Sequence, residues 1–376
     1  MLNIVTDDRI PFLRGVFEPF ANVEYIPGKH ITGDIVRDAD ALVVRTRTRC
    51  DRDLLERSAV KFIATATIGF DHIDAHFCAV NNIRWANAPG CNSSSVKQYI
   101  TAALLKLERD RKYTLKGKTI GIVGAGNVGS KVADVAEILG MKVLINDPPR
   151  ERREGRGKFV SLSTVLKESD IITLHVPLNM SGEDKTYHLI DDDILGMFKE
   201  GSWLFNTSRG EVTDNQALKR ALSSGRLKGS VLDVWENEPD IDTELMRSVF
   251  LATPHIAGYS ADGKANGTSM AVNALSRFFN LPLVDWYPDN VPQPAVPVIE
   301  IDCFGKTPED IIAEAVFHTY RIEDDDKRLR TGVAEFESQR GTYPLRREFT
   351  SYSLKLHGCS REVIEILERL GFGIIA

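Results

Sequence analysis

The strongest constraint on this chain is a glycine-rich turn set between two elements of regular structure. Gly124-Ala125-Gly126-Asn127-Val128-Gly129 follows an apolar run at 119–123 and opens a helical stretch reaching about Leu139, and Asp147 closes the next apolar run. In such a strand, turn and helix unit the first glycine permits the tight turn, and the second lets a pyrophosphate approach amides at the helix N-terminus. The third allows close packing of helix on sheet. Gly124, Gly126, Asn127 and Val128 are therefore expected to hold a dinucleotide. Asp147 can accept from both ribose hydroxyls and would repel a 2'-phosphate, which favours NAD over NADP. Arg150, Arg152, Arg153 and Arg156 lie beyond it; the nearer Asp147 decides the reading.

Around this turn the pattern is α/β throughout. Apolar runs at 119–123, 142–146, 171–175, 202–206, 229–234 and 249–252 make six strands of a doubly wound sheet. A weaker series at 3–5, 41–44, 62–64 and 83–87, with a helical stretch at 51–58, predicts a second parallel layer. Residues 93–111 read as a long connecting helix, with Ser93 to Ser95 as caps and Val96, Ile100, Ala103 and Leu107 along one face. A second long helix at 263–279 gives the return path to the first domain. Pro282, Pro288, Pro292, Pro294 and Pro297 make a stiff linker. Beyond it come a strand at 298–302, a helix at 307–320, an acidic run at 323–326, a strand at 352–356, a helix at 360–370 and a strand at 373–375. The 376 residues thus divide into 1–94 with 258–285, then 95–257, then 286–376. The last, small module is expected to bury a face in a partner, as a dimerisation domain.

Three strands of the stronger sheet each release a polar residue beyond the carboxyl end, where ligands bind in open parallel sheets. These are Arg209, Glu238 and His255. Arg209 offers a planar fork for a carboxylate and can polarise a keto oxygen. His255 can take a hydroxyl proton as hydride leaves, and Glu238 would hold the imidazole and favour its charged form. That is the chemistry of hydride transfer between a 2-hydroxy acid and NAD, and it needs no metal. His72 and His76 flank Asp74, with Asp71 beside them, but Asp71 as a helix cap is the expected reading.

The net charge of -6 opposes nonspecific attraction to nucleic acid or an anionic membrane. No stretch approaches 18 apolar residues, and Asp7-Asp8 leaves no room for a signal-peptide core, so the protein is expected to be cytoplasmic. Cysteines 50, 78, 91, 303 and 359 form no C-x-x-C pair and are odd in number. All five are expected as reduced thiols.

At these residues the chain resembles the D-isomer-specific 2-hydroxyacid dehydrogenases. The resemblance spans about residues 40–285 and includes the glycine turn, Asp170-Ile171-Ile172-Thr173-Leu174-His175-Val176-Pro177-Leu178, Asn206-Thr207-Ser208-Arg209-Gly210, Leu232-Asp233-Val234-Trp235-Glu236-Asn237-Glu238-Pro239 and Thr253-Pro254-His255-Ile256-Ala257-Gly258. It implies a flavodoxin-like substrate domain and a Rossmann NAD domain, with Arg209, Glu238 and His255 catalytic and Asp233 holding the nicotinamide carboxamide. It also implies that Val176, Thr207, Ser208 and Gly258 line the cofactor, and that loops around Thr46, Thr67 and Tyr259 touch substrate. Ala64-Thr65-Ala66-Thr67-Ile68-Gly69-Phe70-Asp71-His72, Ala88-Pro89-Gly90-Cys91-Asn92 and Asp147-Pro148-Pro149-Arg150 are similar to members acting on a phosphorylated four-carbon acid. The alternatives are a three-carbon phosphorylated acid and, in another class, an NAD-sensing corepressor. The Pro-linked module is similar to a homodimerisation domain of this group. Where relatives carry Glu near the start of the connecting helix, this chain has Lys97-Gln98.

A phosphorylated substrate needs cations. Arg45, Arg47 and Arg49 alternate after the run 41–44 and would share one face if extended, with Thr46 on the other. The second source is Arg346-Arg347, presented across a dimer.

Overall fold

The computed structural model describes residues 1–375. The chain divides into two units, Met1–Asn92 with Ser260–Pro292, and Ser93–Tyr259 with the chain from Gln293 onward.

The first unit is built on a five-stranded parallel sheet of β1 (Leu2–Asp7), β2 (Ala21–Ile26), β3 (Ala41–Val44), β4 (Phe62–Thr65) and β5 (Arg84–Ala86). Its order, β2-β1-β3-β4-β5, is that of flavodoxin-like sheets. β3 and β4 are buried on both faces, so they read as unbroken apolar runs. β2 was not expected. It is an edge strand that is partly or fully exposed at every residue after Ala21, so it lacks that signal. The return helix Ala261–Phe279 is capped by Ser260, whose Oγ accepts from the Gly263 amide at 2.8 Å; such a cap contributes about 1 kcal/mol. It lays Ala271, Val272 and Leu275 in one cluster with Phe62 and Ala64.

Two expectations fail here. After β3 the chain turns at once, with the Thr48 amide donating to Arg45 O at 3.1 Å. Residues 45–49 are therefore not extended, and the common face of Arg45, Arg47 and Arg49 does not form. Arg45 instead pairs with buried Asp7 at 3.2 Å, and Arg49 with Asp51 at 3.0 Å. Asp74, not Asp71, caps the helix Ala75–Val80, and His72 Nε2 lies 3.1 Å from Thr65 Oγ1.

The second unit carries β6 (Thr119–Val123), β7 (Lys142–Asn146), β8 (Ile171–Leu174), β9 (Ser202–Asn206), β10 (Leu227–Leu232) and β11 (Leu251–Ala252). They are parallel, in the order β11-β10-β9-β8-β6-β7. The Rossmann strand that belongs outside β7 is reduced to one bridge between Ile145 and Phe159. The small module adds β12 (Val298–Asp302), β13 (Ser353–His357) and β14 (Gly373–Ile375) in a separate parallel sheet. The acidic run opens the helix Ile322–Thr331, where Glu323, Asp324 and Asp325 meet the positive end of the helix dipole.

This module shares one continuous core with the six-stranded sheet. Ile100, Leu104, Val132, Ile301, Val316 and Leu367 belong to the same cluster. The helix Ser93–Arg111 is its spine. Val96 and every residue from Gln98 to Leu105 are buried, a full circumference rather than one stripe, because the helices Asn127–Ile138 and Pro308–Thr319 both pack on it. Lys97 Nζ donates to Leu370 O at 2.7 Å, and Gln98 Nε2 to Thr319 Oγ1 and Arg347 O at 3.1 and 2.9 Å. The departure from the family at Lys97-Gln98 is thus a contact with the added module.

The cysteine expectation is also corrected. Cys303 and Cys359 form a disulfide, with Cα atoms 5.2 Å apart. The β12 and β13 register creates the pair, the Cys303 amide donating to His357 O at 2.9 Å. Spacing in the sequence carries no trace of it. Cys50, Cys78 and Cys91 are free and buried; burial pushes the Cys50 thiol up to about 12 and that of Cys78 to about 11. No helix among the described residues is long and apolar enough to cross a membrane.

Candidate active site

β6 runs straight into the glycine turn. Gly124 sits at φ 87°, which glycine alone adopts freely, and a Cβ there would come within 2.8 Å of the His175 carbonyl and Val176. A Cβ on Gly129 would lie 1.9 Å from Gly124 O, so the helix can approach the turn only as glycine. Gly126 is different: nothing stands within 4 Å of where its Cβ would be, and Gly126 and Asn127 are exposed. Amides at the start of the twelve-residue helix Asn127–Ile138 are thus open to an anion. Asp147 supports the turn from β7, accepting from the Ala125 amide at 2.8 Å and from the Arg150 amide at 2.9 Å. Arg150 is paired with Glu154 and also donates to Ala125 O. Its charge is therefore met by Glu154. These residues fit a dinucleotide, with Val176 beside Gly124 and Thr207 Oγ1 3.5 Å from His175 Nδ1.

His175 directly follows β8 and keeps only part of its surface open; its Nε2 lies 3.0 Å from Thr173 Oγ1. Burial pushes its pKa down to about 3. The unfolded chain takes up this proton below about pH 6.5, whereas the folded one does so only near 3, so the group's stabilising contribution is complete above 6.5 and is lost as pH falls towards 3. From pH 6.5 to 5 the protein should lose on the order of 1 kcal/mol per pH unit more than a His175→Asn variant, the slope steepening as pH falls. Urea midpoints across that range test this; parallel slopes for the two proteins would refute it.

The carboxyl ends of β9, β10 and β11 supply the remaining groups. Asn206 shapes the first loop, its Nδ2 donating to Arg209 O at 2.9 Å and its Oδ1 accepting from the Ser208 amide and hydroxyl at 3.0 and 2.8 Å. A Cβ on Gly210 would fall 2.0 Å from Trp235 C, so the Arg209 loop lies backbone to backbone against the loop carrying Glu238. Glu238 Oε1 accepts from the Trp235 amide at 2.9 Å, and Oε2 lies 2.7 Å from His255 Nδ1. Burial would raise the Glu238 pKa, but the His255 hydrogen bond and charge, the Trp235 amide and the Arg340 charge outweigh it and hold it below the usual value. An ionised carboxylate only accepts, so Nδ1 carries the proton and Nε2 is left to work as base. The two side chains are 30% and 18% exposed, open enough for a substrate and sheltered enough for the bond to hold.

Asp233 is buried at the head of β10. Its Oδ1 accepts from Thr253 Oγ1 at 2.6 Å and from the Ile256 amide at 2.8 Å, its Oδ2 from the Ala257 amide at 2.8 Å, and its carbonyl from the His255 amide at 2.7 Å. It fixes the segment leading to Gly258 and Tyr259.

Several participants escaped the sequence reading. His188 Nε2 lies 2.6 Å from Glu236 Oε1, and Glu236 Oε2 accepts from the Asn215 amide at 3.0 Å. This ties together the loops after β8, β9 and β10. From the small module, Tyr343 meets the Tyr259 ring edge-on at 5.7 Å, and the Arg340 guanidinium lies 5.9 Å from the same ring. Arg346 is not presented outward. It is buried in its own chain, Nη2 donating to Ala257 O at 2.6 Å and Ile256 O at 3.2 Å, so it does not stand as the phosphate ligand expected of it. These contacts span about 90 residues of sequence, and no local pattern announces them. In the first unit, Thr67 Oγ1 donates to Gly69 O at 2.9 Å, Thr46 is exposed, and Arg45 is turned onto Asp7.

Residues 94–257 match the family described as D-isomer specific 2-hydroxyacid dehydrogenase, NAD binding domain, and residues 292–371 match a domain of unknown function, DUF3410. An erythronate-4-phosphate dehydrogenase of Bacteroides fragilis is 51% identical over 94% of this chain and 99% of its own. Among solved structures, a NAD-bound 3-phosphoglycerate dehydrogenase of Entamoeba histolytica is 26% identical with a TM-score of 0.63, covering 76% of this chain and 97% of its own. A D-lactate dehydrogenase of Aquifex aeolicus, complexed with NAD and lactic acid, is 27% identical with a TM-score of 0.59, covering 74% and 95%. The small module with its own sheet has its own family match, and likeness to the first relative runs through almost the whole chain. On that likeness and this geometry, the chain belongs to the erythronate-4-phosphate dehydrogenases, among the D-isomer specific 2-hydroxyacid dehydrogenases.

Proposed function

We propose that the protein oxidises 4-phospho-D-erythronate to (3R)-3-hydroxy-2-oxo-4-phosphooxybutanoate with NAD, a step towards pyridoxal 5'-phosphate. The observation that carries the chemistry is the 2.7 Å contact between Glu238 and His255 Nδ1. When bound, NAD supplies the hydride acceptor. His255 Nε2 takes the proton of the C2 hydroxyl as the hydride leaves C2, and Glu238 stabilises the imidazolium that results. Arg209 pairs with the substrate carboxylate and polarises the oxygen at C2. Gly124, Gly126, Asn127 and Val128 receive the pyrophosphate and Asp147 the ribose, while Val176, Thr207, Ser208, Asp233 and Gly258 line the nicotinamide side. Thr46, Thr67 and Tyr259 are the proposed substrate contacts. Arg45, oriented by Asp7 and about a third exposed, is the cation proposed for the phosphate.

The proposal extends to a cytoplasmic homodimer paired through the small module, which exposes Val298, Phe304 and Ile375. Nicotinamide absorbance at 340 nm distinguishes the substrates. A kcat/KM on 4-phosphoerythronate at least 100-fold above that on 3-phosphoglycerate is expected. The reverse ranking would assign the three-carbon acid, and NAD binding without turnover of either would assign a sensor.

A further inference from the structure

His255 stands in the left-handed backbone region, with φ at 56°. For a residue other than glycine this conformation is sparsely populated, and it persists where neighbours over-determine it. The backbone of the two residues that follow is gripped from both sides. Their amides go to one carboxylate, Ile256 and Ala257 donating to the two oxygens of Asp233 at 2.8 Å each. Their carbonyls go to one guanidinium, Arg346 Nη2 reaching Ala257 O at 2.6 Å and Ile256 O at 3.2 Å. Asp233 belongs to the NAD-binding sheet and Arg346 to the small module. Arg346 is only 4% exposed, and its guanidinium lies over the Tyr320 and Tyr343 rings, 4.5 and 5.8 Å from their centres. Nothing in hydride transfer requires a buried cation at that place.

We propose that Arg346 is a positioning residue for His255, completing with Asp233 a two-sided clamp on the backbone of residues 256 and 257 that sets the backbone and ring of the base. The inference rests on reading His255 as that base. It makes the small module part of the catalytic apparatus without contact to substrate, and it replaces the phosphate role expected of Arg346. Only Nη2 makes hydrogen bonds; Nε and Nη1 are buried without a partner among the described residues. A lysine would carry the charge but not the planar group that fills the space between the two tyrosines and the two carbonyls.

The test compares Arg346→Ala and Arg346→Lys with the unaltered full-length enzyme in single turnovers, which isolate the chemical step. Misplacing a catalytic group by about an ångström costs up to 10²-fold, so Arg346→Ala should slow NADH formation by about 10- to 100-fold, and Arg346→Lys by less. NAD affinity should stay within about threefold. Millimolar guanidinium should restore part of the Arg346→Ala rate, whereas methylammonium at the same concentration should not. A wild-type rate in either folded variant would overturn the clamp. So would a loss confined to KM for the phosphorylated acid, with its dephosphorylated analogue spared, since that is the mark of a phosphate ligand. If Arg346→Ala fails to fold, the Arg346→Lys rate decides alone. His255→Asn, run in parallel, separates the two ideas: normal turnover there removes the base itself, whereas loss there with normal Arg346 variants removes only the clamp.

Discussion

Replacing His255 by asparagine should lower kcat by roughly 10²- to 10⁴-fold while leaving NAD affinity nearly unchanged. Asparagine is the informative choice because His255 sits at φ 56°, and asparagine is among the residues that best tolerate that region. The backbone, with its ties to Asp233 and Arg346, therefore has reason to stay in place. What disappears is a group able to take a proton. The variant should bind NAD through an intact glycine turn and stall at the chemical step. Isothermal titration with NAD beside steady-state turnover makes the comparison, and full turnover would end the assignment of His255 as base.

The second large effect is expected in the glycine turn, where two alanine substitutions should fail for different reasons. At Gly129 the new methyl would meet Gly124 O at 1.9 Å, backbone against backbone, with no flexible side chain to yield. Gly129→Ala should therefore lose about 3 kcal/mol or more of stability, the upper range for overpacking, and cofactor binding with it. At Gly126 the protein leaves open space. Gly126→Ala should melt within about 0.5 kcal/mol of the parent yet bind NAD about 10- to 100-fold more weakly, because the methyl enters the path of the pyrophosphate. Thermal melts with NAD titrations separate the cases. Unchanged NAD affinity in Gly126→Ala would show that the pyrophosphate lies elsewhere.

Features written locally were legible in the sequence. A glycine turn after an apolar run, and polar residues just past the ends of buried strands, place Gly124, Arg209, Glu238 and His255 without knowledge of tertiary contacts. Features created by register or long-range packing were not. The edge position of β2 left it without a buried run. The Cys303 and Cys359 pair exists because β12 lies beside β13. The helix that opens with the acidic run was not legible either, because successive carboxylates suggest repulsion unless a helix dipole is known to receive them. Arginines 45, 47 and 49 misled for a related reason: alternation implies a shared face only in extended chain, and the turn that breaks it, Thr48 to Arg45, has no strong local signal. Arg340 carried no signal and Arg346 was expected to face a phosphate across a dimer, until the fold brought them to Tyr259 and Ala257.

The helix Ser93–Arg111 has consequences for how the second unit fluctuates. A domain joined to another by a thin polar interface can open by itself at low free-energy cost, and its amides then exchange with solvent long before the rest of the chain unfolds. Here the same side chains serve both neighbours, Ile100 and Leu104 lying in one cluster with Val132 on one side and Val316 on the other. Detaching the small module would expose the apolar side of this helix to water, a patch of the kind that promotes association. Opening of the module is thus thermodynamically linked to loosening of the nucleotide-binding half. The two should share their slowest-exchanging amides, and trimming the chain at the proline linker would leave an incomplete core instead of a smaller enzyme.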